Sequence, residues 1–134
     1  MKDITELTED DLDWVESLVN TLRTLGVAPE PAALDEFLEQ ARTTGTLAST
    51  DPTPLINLVG AGIGHHLATT LGLRWVHVTD KRGQRLAVYG DSKKTLAFPL
   101  DAVARRWRGE PGTLPGYVYA TSAAITLIRQ GIAS

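Results

Sequence analysis

Hydrophobic residues recur about every 3.6 positions early in the chain, and this period predicts an amphipathic helix between Thr8 and Gly26. The Thr8 hydroxyl is suited to cap this helix, and the three acids that follow it suit the positive end of the helix dipole. A second, shorter helix is predicted within residues 29–45, where prolines precede the apolar face and a glycine follows it. Residues 43–54 are rich in Thr, Ser, Asp and Pro, which predicts a linker after this helical pair.

The next segment, residues 53–72, fits two interpretations. In the first it is a helix, with Thr53 as its cap, Pro54 in the first helical position and Gly72 at its end. In the second, a short strand leads into a glycine-rich turn at residues 60–64, of the kind whose backbone amides approach nucleotide phosphates.

The spacing around the glycines favours the helix. Asp80 follows Gly60 at the distance of a ribose-binding acid, but His65 stands where the third glycine of G-x-G-x-x-G belongs. Too little chain follows Asp80 for further βαβ units. On a helix, Gly60 and Gly64 lie one turn apart and allow a neighbouring element to pack closely. A continuous helix here would exclude a cofactor turn.

The second half of the chain predicts a small sheet. β-branched and aromatic residues form three short strands at 73–79, 85–89 and 95–98, joined by turns into an antiparallel meander. Apolar residues with helical spacing follow from Leu100 to Trp107, and a last helix is predicted at 117–129 after a Gly- and Pro-rich loop. The predicted fold is α+β: an N-terminal helical pair, a central helix packed on a three-stranded antiparallel sheet, and one or two C-terminal helices.

Composition is consistent with one globular domain over residues 1–134, since 43% of residues are hydrophobic and 22% are charged. The net charge of -3 divides unevenly. Residues 1–52 hold twelve acids and three bases, whereas residues 53–134 hold four acids and ten bases. The halves either neutralise each other or leave a basic face for a partner.

Several classes of site are excluded or unsupported by the residue types. The chain has no cysteine, which rules out disulfides, a cysteine nucleophile and thiolate metal sites. It shows no apolar run typical of a secretion signal or a membrane span, so we expect a cytoplasmic protein without a membrane partner. Trp14, Trp75 and Trp107 fall in apolar patterns and are predicted to pack in the core.

Residues 53–110 resemble a bacterial domain of unknown function, number 3806, whose hallmark is an FPL motif. The resemblance rests on short motifs in a fixed order: Leu58, Gly60, Gly64 and Leu67, then 72–75, Asp80 and Gly83, Phe98-Pro99-Leu100, and 105–107. It implies a helix, a small antiparallel sheet and a following helix. The residue pattern itself places an acidic helical segment at 1–50 before this core and a loop and helix at 111–134 after it. The resemblance implies no established activity. The FPL motif itself predicts a junction between a strand and a helix, because Pro99 cannot donate to a sheet.

Histidines supply the only candidate ligand contact outside the basic residues. His65 and His66 are neighbours that would point about 100° apart on a helix, and no H-E-x-x-H spacing is present, so no metal site is predicted. Either imidazole has the chemistry of a general base, but the sequence supplies no partner to orient it. No G-x-S-x-G or S-x-x-K motif occurs. We therefore assign no catalytic residue and no cofactor.

Basic residues form the candidate interaction surface. It comprises Lys81, Arg82, Lys93, Lys94, Arg105, Arg106 and Arg108. The pI of about 5.5 opposes a dominant phosphate-binding role in nucleic-acid recognition. We favour a non-catalytic module that binds another protein, as an adaptor or an immunity-like protein does. The alternatives are a small ligand-binding domain or enzyme that uses residues 60–66, and a nucleic-acid-binding protein that uses the basic half.

Overall fold

Four strands and five helices form the part of the chain that the computed structural model describes, residues 3–44, 51–91 and 95–131. In chain order they are β1 (Asp3–Glu6), α1 (Glu9–Thr24), α2 (Pro31–Thr44), α3 (Thr53–Leu71), β2 (Arg74–Asp80), β3 (Gly83–Tyr89), β4 (Leu96–Ala97), α4 (Pro99–Trp107) and α5 (Leu114–Arg129). The strands make one antiparallel sheet in the order β1-β2-β3-β4. The α+β prediction is confirmed.

Both predicted boundaries of α1 are confirmed. The Thr8 Oγ1 accepts a hydrogen bond from the Asp11 amide at 3.2 Å, and three acids occupy the first turn. The chain turns away at Gly26, whose φ of +78° is a left-handed conformation that favours glycine. Gly45, where the sequence places the end of α2, and half of the predicted linker lie outside the described residues.

The helical interpretation of residues 53–72 is correct. α3 runs unbroken from Thr53 to Leu71 and ends at Gly72 in the left-handed region. The cap differs from the prediction, because Thr53 is already helical and its amide donates to Asp51 Oδ1 at 3.0 Å. A continuous helix leaves no glycine-rich turn between a strand and a helix, so a cofactor turn at residues 60–64 is excluded.

Glycines let α3 serve as the central helix. A Cβ on Gly60 would lie 2.7 Å from a Leu100 side-chain atom of α4, and one on Gly62 would lie 2.8 Å from Leu22 of α1. A Cβ on Gly64 would collide with the Trp75 ring, so the close packing predicted at Gly60 and Gly64 is confirmed, and Gly62 adds a third close contact. Val59, Ile63 and Leu67 of α3 are buried in one cluster with Leu22, Leu34, Val103 and Leu114 of the surrounding helices.

The structure has one strand that the sequence pattern does not predict. The three predicted strands are present, and β1 adds a fourth that pairs antiparallel with β2, with Ile4 opposite Val78. β1 carries a single large apolar residue among polar ones, so its pattern is too short to be detected and it owes its structure to pairing with β2. Trp14 is a second correction, since its side chain is 41% exposed, whereas Trp75 and Trp107 pack against the core.

The C-terminal boundaries shift slightly. α5 begins at Leu114, three residues before the predicted start, because Thr113 caps it through the Gly116 amide and Pro115 fits the first turn. None of the helices in the described ranges is long and apolar enough to cross a bilayer.

Candidate functional site

A cleft of about 660 Å³ opens where the β2–β3 turn, the β4–α4 junction and α5 meet. Its volume is within the range of about 300–1,000 Å³ that is typical of ligand pockets. Charged residues of its lining are Asp80, Lys81, Arg82, Arg85, Asp101 and Arg105. Apolar residues of its lining include Leu96, Phe98, Ala124 and Ile125. We call this the basic cleft.

The FPL motif shapes one wall of the basic cleft. β4 ends at Ala97, Phe98 is the residue before the helix, and Pro99 takes the first position of α4. The Phe98 carbonyl accepts the Ala102 amide at 3.1 Å, which continues the chain directly from strand to helix. The predicted junction between a strand and a helix is therefore present, and it places Asp101 in the first turn of α4.

Arg85 contacts three other residues that line the basic cleft. Its guanidinium forms hydrogen bonds of 2.6 Å with Asp80 and with Asp101, and it lies 4.1 Å from the centroid of the Phe98 ring. The Arg82 amide and then Arg85 lower the pKa of Asp80. Burial alone would lower the pKa of Arg85, but its hydrogen bonds to both carboxylates raise it. Arg85 thus joins the hairpin to α4 as a permanently charged structural group, a role that the sequence did not indicate.

Tyr117 lines the inner side of the cleft. Burial raises the pKa of its hydroxyl, while hydrogen bonds with Thr121 and the Phe98 backbone and the nearby charge of Arg105 act in the opposite direction. The phenol therefore remains protonated at neutral pH. It provides a polar group among the apolar residues of α5.

Three cations of the cleft remain unpaired. Across the described residues, the side chains of Lys81, Arg82 and Arg105 make no hydrogen bond or ion pair, and all three residues are exposed. Arg108 lies just beyond them and pairs with Glu110 at 3.0 Å. The structure therefore brings four of the predicted surface residues to one side of the molecule.

Arg106 does not belong to that surface. Its Nε lies 3.1 Å from Asp35 Oδ1, and its Nη2 lies 3.1 Å from Glu39 Oε2. The hydrogen bond with Asp35 is the main reason that the pKa of Arg106 is raised. The same Asp35 oxygen accepts the Leu114 amide, so this group fixes α2 to α4 and α5. Lys93 and Lys94, also predicted for the surface, lie outside the described residues.

Ion pairs join the acidic segment 1–52 to the basic segment 53–134, so the two segments neutralise each other in part. Arg106 pairs with Asp35 and Glu39, and Arg74 pairs with Glu6 at 2.9 Å. The cations of the basic cleft have no such partner from the acidic half within the described ranges. The halves therefore neutralise each other away from the cleft, and the cleft keeps its positive charge.

The histidines lie elsewhere. His65 and His66 border a shallow depression between α2, α3 and the start of α5, and burial lowers the pKa of His65. No described side chain forms a hydrogen bond with either imidazole. His77 is half-buried and its Nε2 lies 3.1 Å from Asp11 Oδ2. No group of three or more metal-ligating side chains occurs in the described part of the chain.

Comparison with known proteins gives one match. A family model described as Domain of unknown function (DUF3806) matches residues 36–117, which is more than half of the chain. The match extends at both ends beyond residues 53–110, the segment that carries the resemblance in the sequence. It includes the β2–β3 hairpin, β4 and α4. A search of the curated proteins gave no match, and neither did a search of the solved structures.

Proposed function

We propose a function for this chain, which belongs to the DUF3806 family: it is a non-catalytic module that binds an acidic segment of another protein in the basic cleft. The observation that carries the proposal is the set of unpaired cations, Lys81, Arg82 and Arg105, around an apolar floor. Unpaired cations attract carboxylates and raise the rate of association. The apolar floor provides a surface on which apolar side chains of the partner can be buried. Such a lining suits a ligand with acidic and apolar groups together.

Backbone groups of β4 favour a peptide as that ligand. The Gly90 amide donates to the Thr95 carbonyl at 2.9 Å, and the register places Tyr89 opposite Leu96. Because hydrogen-bonded and non-hydrogen-bonded pairs alternate along an antiparallel ladder, the amide and carbonyl of Leu96 point away from β3. They face the side on which an extended segment would pair with the sheet.

The opposite edge of the sheet is unsuited to the same ligand. β1 exposes Asp3 and Glu6, and the one cation paired there, Arg74, is shared between Glu6 and Asp91, so the remaining negative charge would repel an acidic segment. The β4 edge lies beside the unpaired cations instead. Charge therefore distinguishes the two edges and directs an acidic strand to the basic cleft.

A site-specific photocrosslinker tests the proposal in the cell. We would place benzoylphenylalanine at Ala124, which lines the cleft, and at Thr126, an exposed residue on the far side of the same helix. We expect a specific protein adduct from position 124 only, with an acidic segment at the crosslink. The adduct should weaken when Arg82 and Arg105 are both changed to Glu, and it should persist when Arg23 on α1 is changed to Glu.

Two results would contradict the proposal. One is equal crosslinking from positions 124 and 126, because this would show that the cleft has no preferred partner. The other is an adduct that survives the double charge reversal in the cleft. In that case the cations would not contribute to recognition.

A further inference from the structure

A smaller pocket of about 370 Å³ opens beside the basic cleft and is lined mainly by arginines. Asp101 and Arg105 reach it from one face of α4, and Arg108, the residue that ends this helix, follows on the same side. Arg82 reaches it from the β2–β3 turn, and Arg85 lies between the two cavities. We call this the arginine pocket.

Most of the positive charge in the arginine pocket is available to a ligand. Arg85 is occupied by Asp80 and Asp101, but the guanidinium groups of Arg82 and Arg105 have no partner among the described residues. Arg108 pairs with Glu110, yet the two side chains are 59% and 48% exposed. An exposed ion pair of this kind contributes little and can exchange for a ligand.

Three guanidinium groups from two separate elements match a phosphoryl group better than a carboxylate. Each guanidinium presents a planar fork of N–H donors, and a single carboxylate satisfies one such fork. A phosphorylated side chain carries about -1.5 to -2 charges at neutral pH and three acceptor oxygens, so it can accept from several arginines at once.

We propose that the arginine pocket binds the phosphoryl group of a phosphorylated residue in the partner segment. The inference rests on the proposed function and specifies its chemistry: apolar side chains that flank the phosphorylated residue lie in the basic cleft. Binding then depends on phosphorylation of the partner, as in other Arg-cluster sites that recognise modified peptides.

The surroundings favour a phosphorylated protein over a nucleic acid. Binding of single strands without sequence preference uses a groove of cations together with aromatic rings on which bases stack. Two aromatic residues line the basic cleft: Phe98 already carries the Arg85 guanidinium on its face, and Tyr117 packs against the core. The exposed rings of Trp14 and Tyr119 line neither cavity.

Three fluorescent peptide pools test the inference by anisotropy. Each pool has one fixed central residue, which is phosphoserine, glutamate or serine, and three mixed positions on either side. We expect the phosphoserine pool to bind about tenfold more tightly than the glutamate pool, which corresponds to one further charge-assisted hydrogen bond, and the serine pool to bind weakest. A single-stranded DNA twelve-mer and inorganic phosphate serve as competitors.

Substitutions then locate the site. Arg105→Glu should remove the preference for phosphoserine, and Arg105→Lys should retain only part of it, because lysine keeps the charge and loses the fork. Arg23→Glu is the matched control, since it makes the same charge change on α1. Thermal melting of every variant confirms that the protein is folded.

Each outcome decides between the two proposals. Equal binding of the glutamate and phosphoserine pools would leave the proposed function intact and overturn the phosphoryl inference. No binding by any pool would overturn both. Tighter binding of the DNA strand would replace the phosphorylated partner with a nucleic acid, and full competition by millimolar inorganic phosphate alone would indicate a site for the free ion.

Discussion

Gly64 gives a direct test of how α3 is packed. A Cβ at this position would lie well under 3.0 Å from two ring atoms of Trp75, and 3.1 Å from Pro99. Replacing an interior helical glycine with alanine normally stabilises a helix by about 1 kcal/mol. Here the added methyl must displace a ring that is packed against the core, and overpacking of this kind costs up to about 3 kcal/mol. We therefore expect Gly64→Ala to lower the free energy of unfolding by about 2 kcal/mol, or the Tm by about 8 °C in a chain of this size.

A double-mutant cycle separates this collision from other effects. Phenylalanine at position 75 lacks the part of the ring that meets the new methyl, so Trp75→Phe should relieve the clash while losing some packing. We expect Gly64→Ala to be nearly neutral in the Trp75→Phe background, which gives a favourable coupling of about 2 kcal/mol. Urea unfolding followed by circular dichroism measures all four proteins. A wild-type background that tolerates Gly64→Ala, or a cycle without coupling, would refute the account of close packing.

Two further substitutions test the wall and the base of the basic cleft. Leu96→Pro removes an amide that faces away from β3, so the sheet should remain intact. The control is Leu96→Ala, which loses the side chain and keeps the amide. We expect Leu96→Pro to bind an acidic peptide about fivefold more weakly than this control does. Equal peptide affinities for these two variants would argue against pairing at the β4 edge. Folding lowers the pKa of Asp80 from its ordinary value of 3.8, chiefly through the hydrogen bond from the Arg82 amide. The ionised Asp80 carboxylate therefore stabilises the fold fully above about pH 4, and this contribution is lost as the pH falls through the folded pKa. The Tm difference between wild type and Asp80→Asn should therefore be largest at neutral pH and should shrink on acidification, and a pH-independent difference would contradict this account.

Local signals in the sequence were sufficient for most elements of the fold. The period of apolar residues, the Thr8 cap and Gly26 predict α1, and the glycine spacing favours a helix over a glycine-rich turn for α3. The structure confirms both helices. β1 could not be predicted in the same way, because its order comes from pairing with β2, a strand about 70 residues later. Trp14 shows the same limit. An apolar pattern does not reveal which flank of a helix another element covers.

The candidate site was predictable in its charge and not in its grouping. Basic residues in the second half of the chain indicated an interaction surface, but the sequence treats Arg105 and Arg106 alike. Helical geometry turns these neighbours about 100° apart, and α2 supplies Asp35 only to Arg106. The role of Arg85 was likewise hidden, since Asp101 comes from another element. Which cations are neutralised depends on long-range contacts that no local pattern records.

Substitutions at the neighbours Arg105 and Arg106 test separately which arginine stabilises the fold and which one binds the peptide. Arg106→Gln leaves the half-buried Asp35 carboxylate without its cation and leaves Glu39 paired with Arg42 alone, so it should lower the free energy of unfolding by about 2 kcal/mol. Arg105→Gln removes an exposed charge from a cluster of like charges, so stability should change by less than about 0.5 kcal/mol, and any gain should disappear in 1 M salt. The affinity for the peptide should show the reverse ranking, because Arg105 lines the cavities and Arg106 does not. Arg105→Gln should weaken peptide binding, whereas Arg106→Gln should preserve it at temperatures where that variant is folded. If Arg105→Gln destabilised the protein as much as Arg106→Gln does, the cations of the cleft would be structural, and the case for a binding surface would fail.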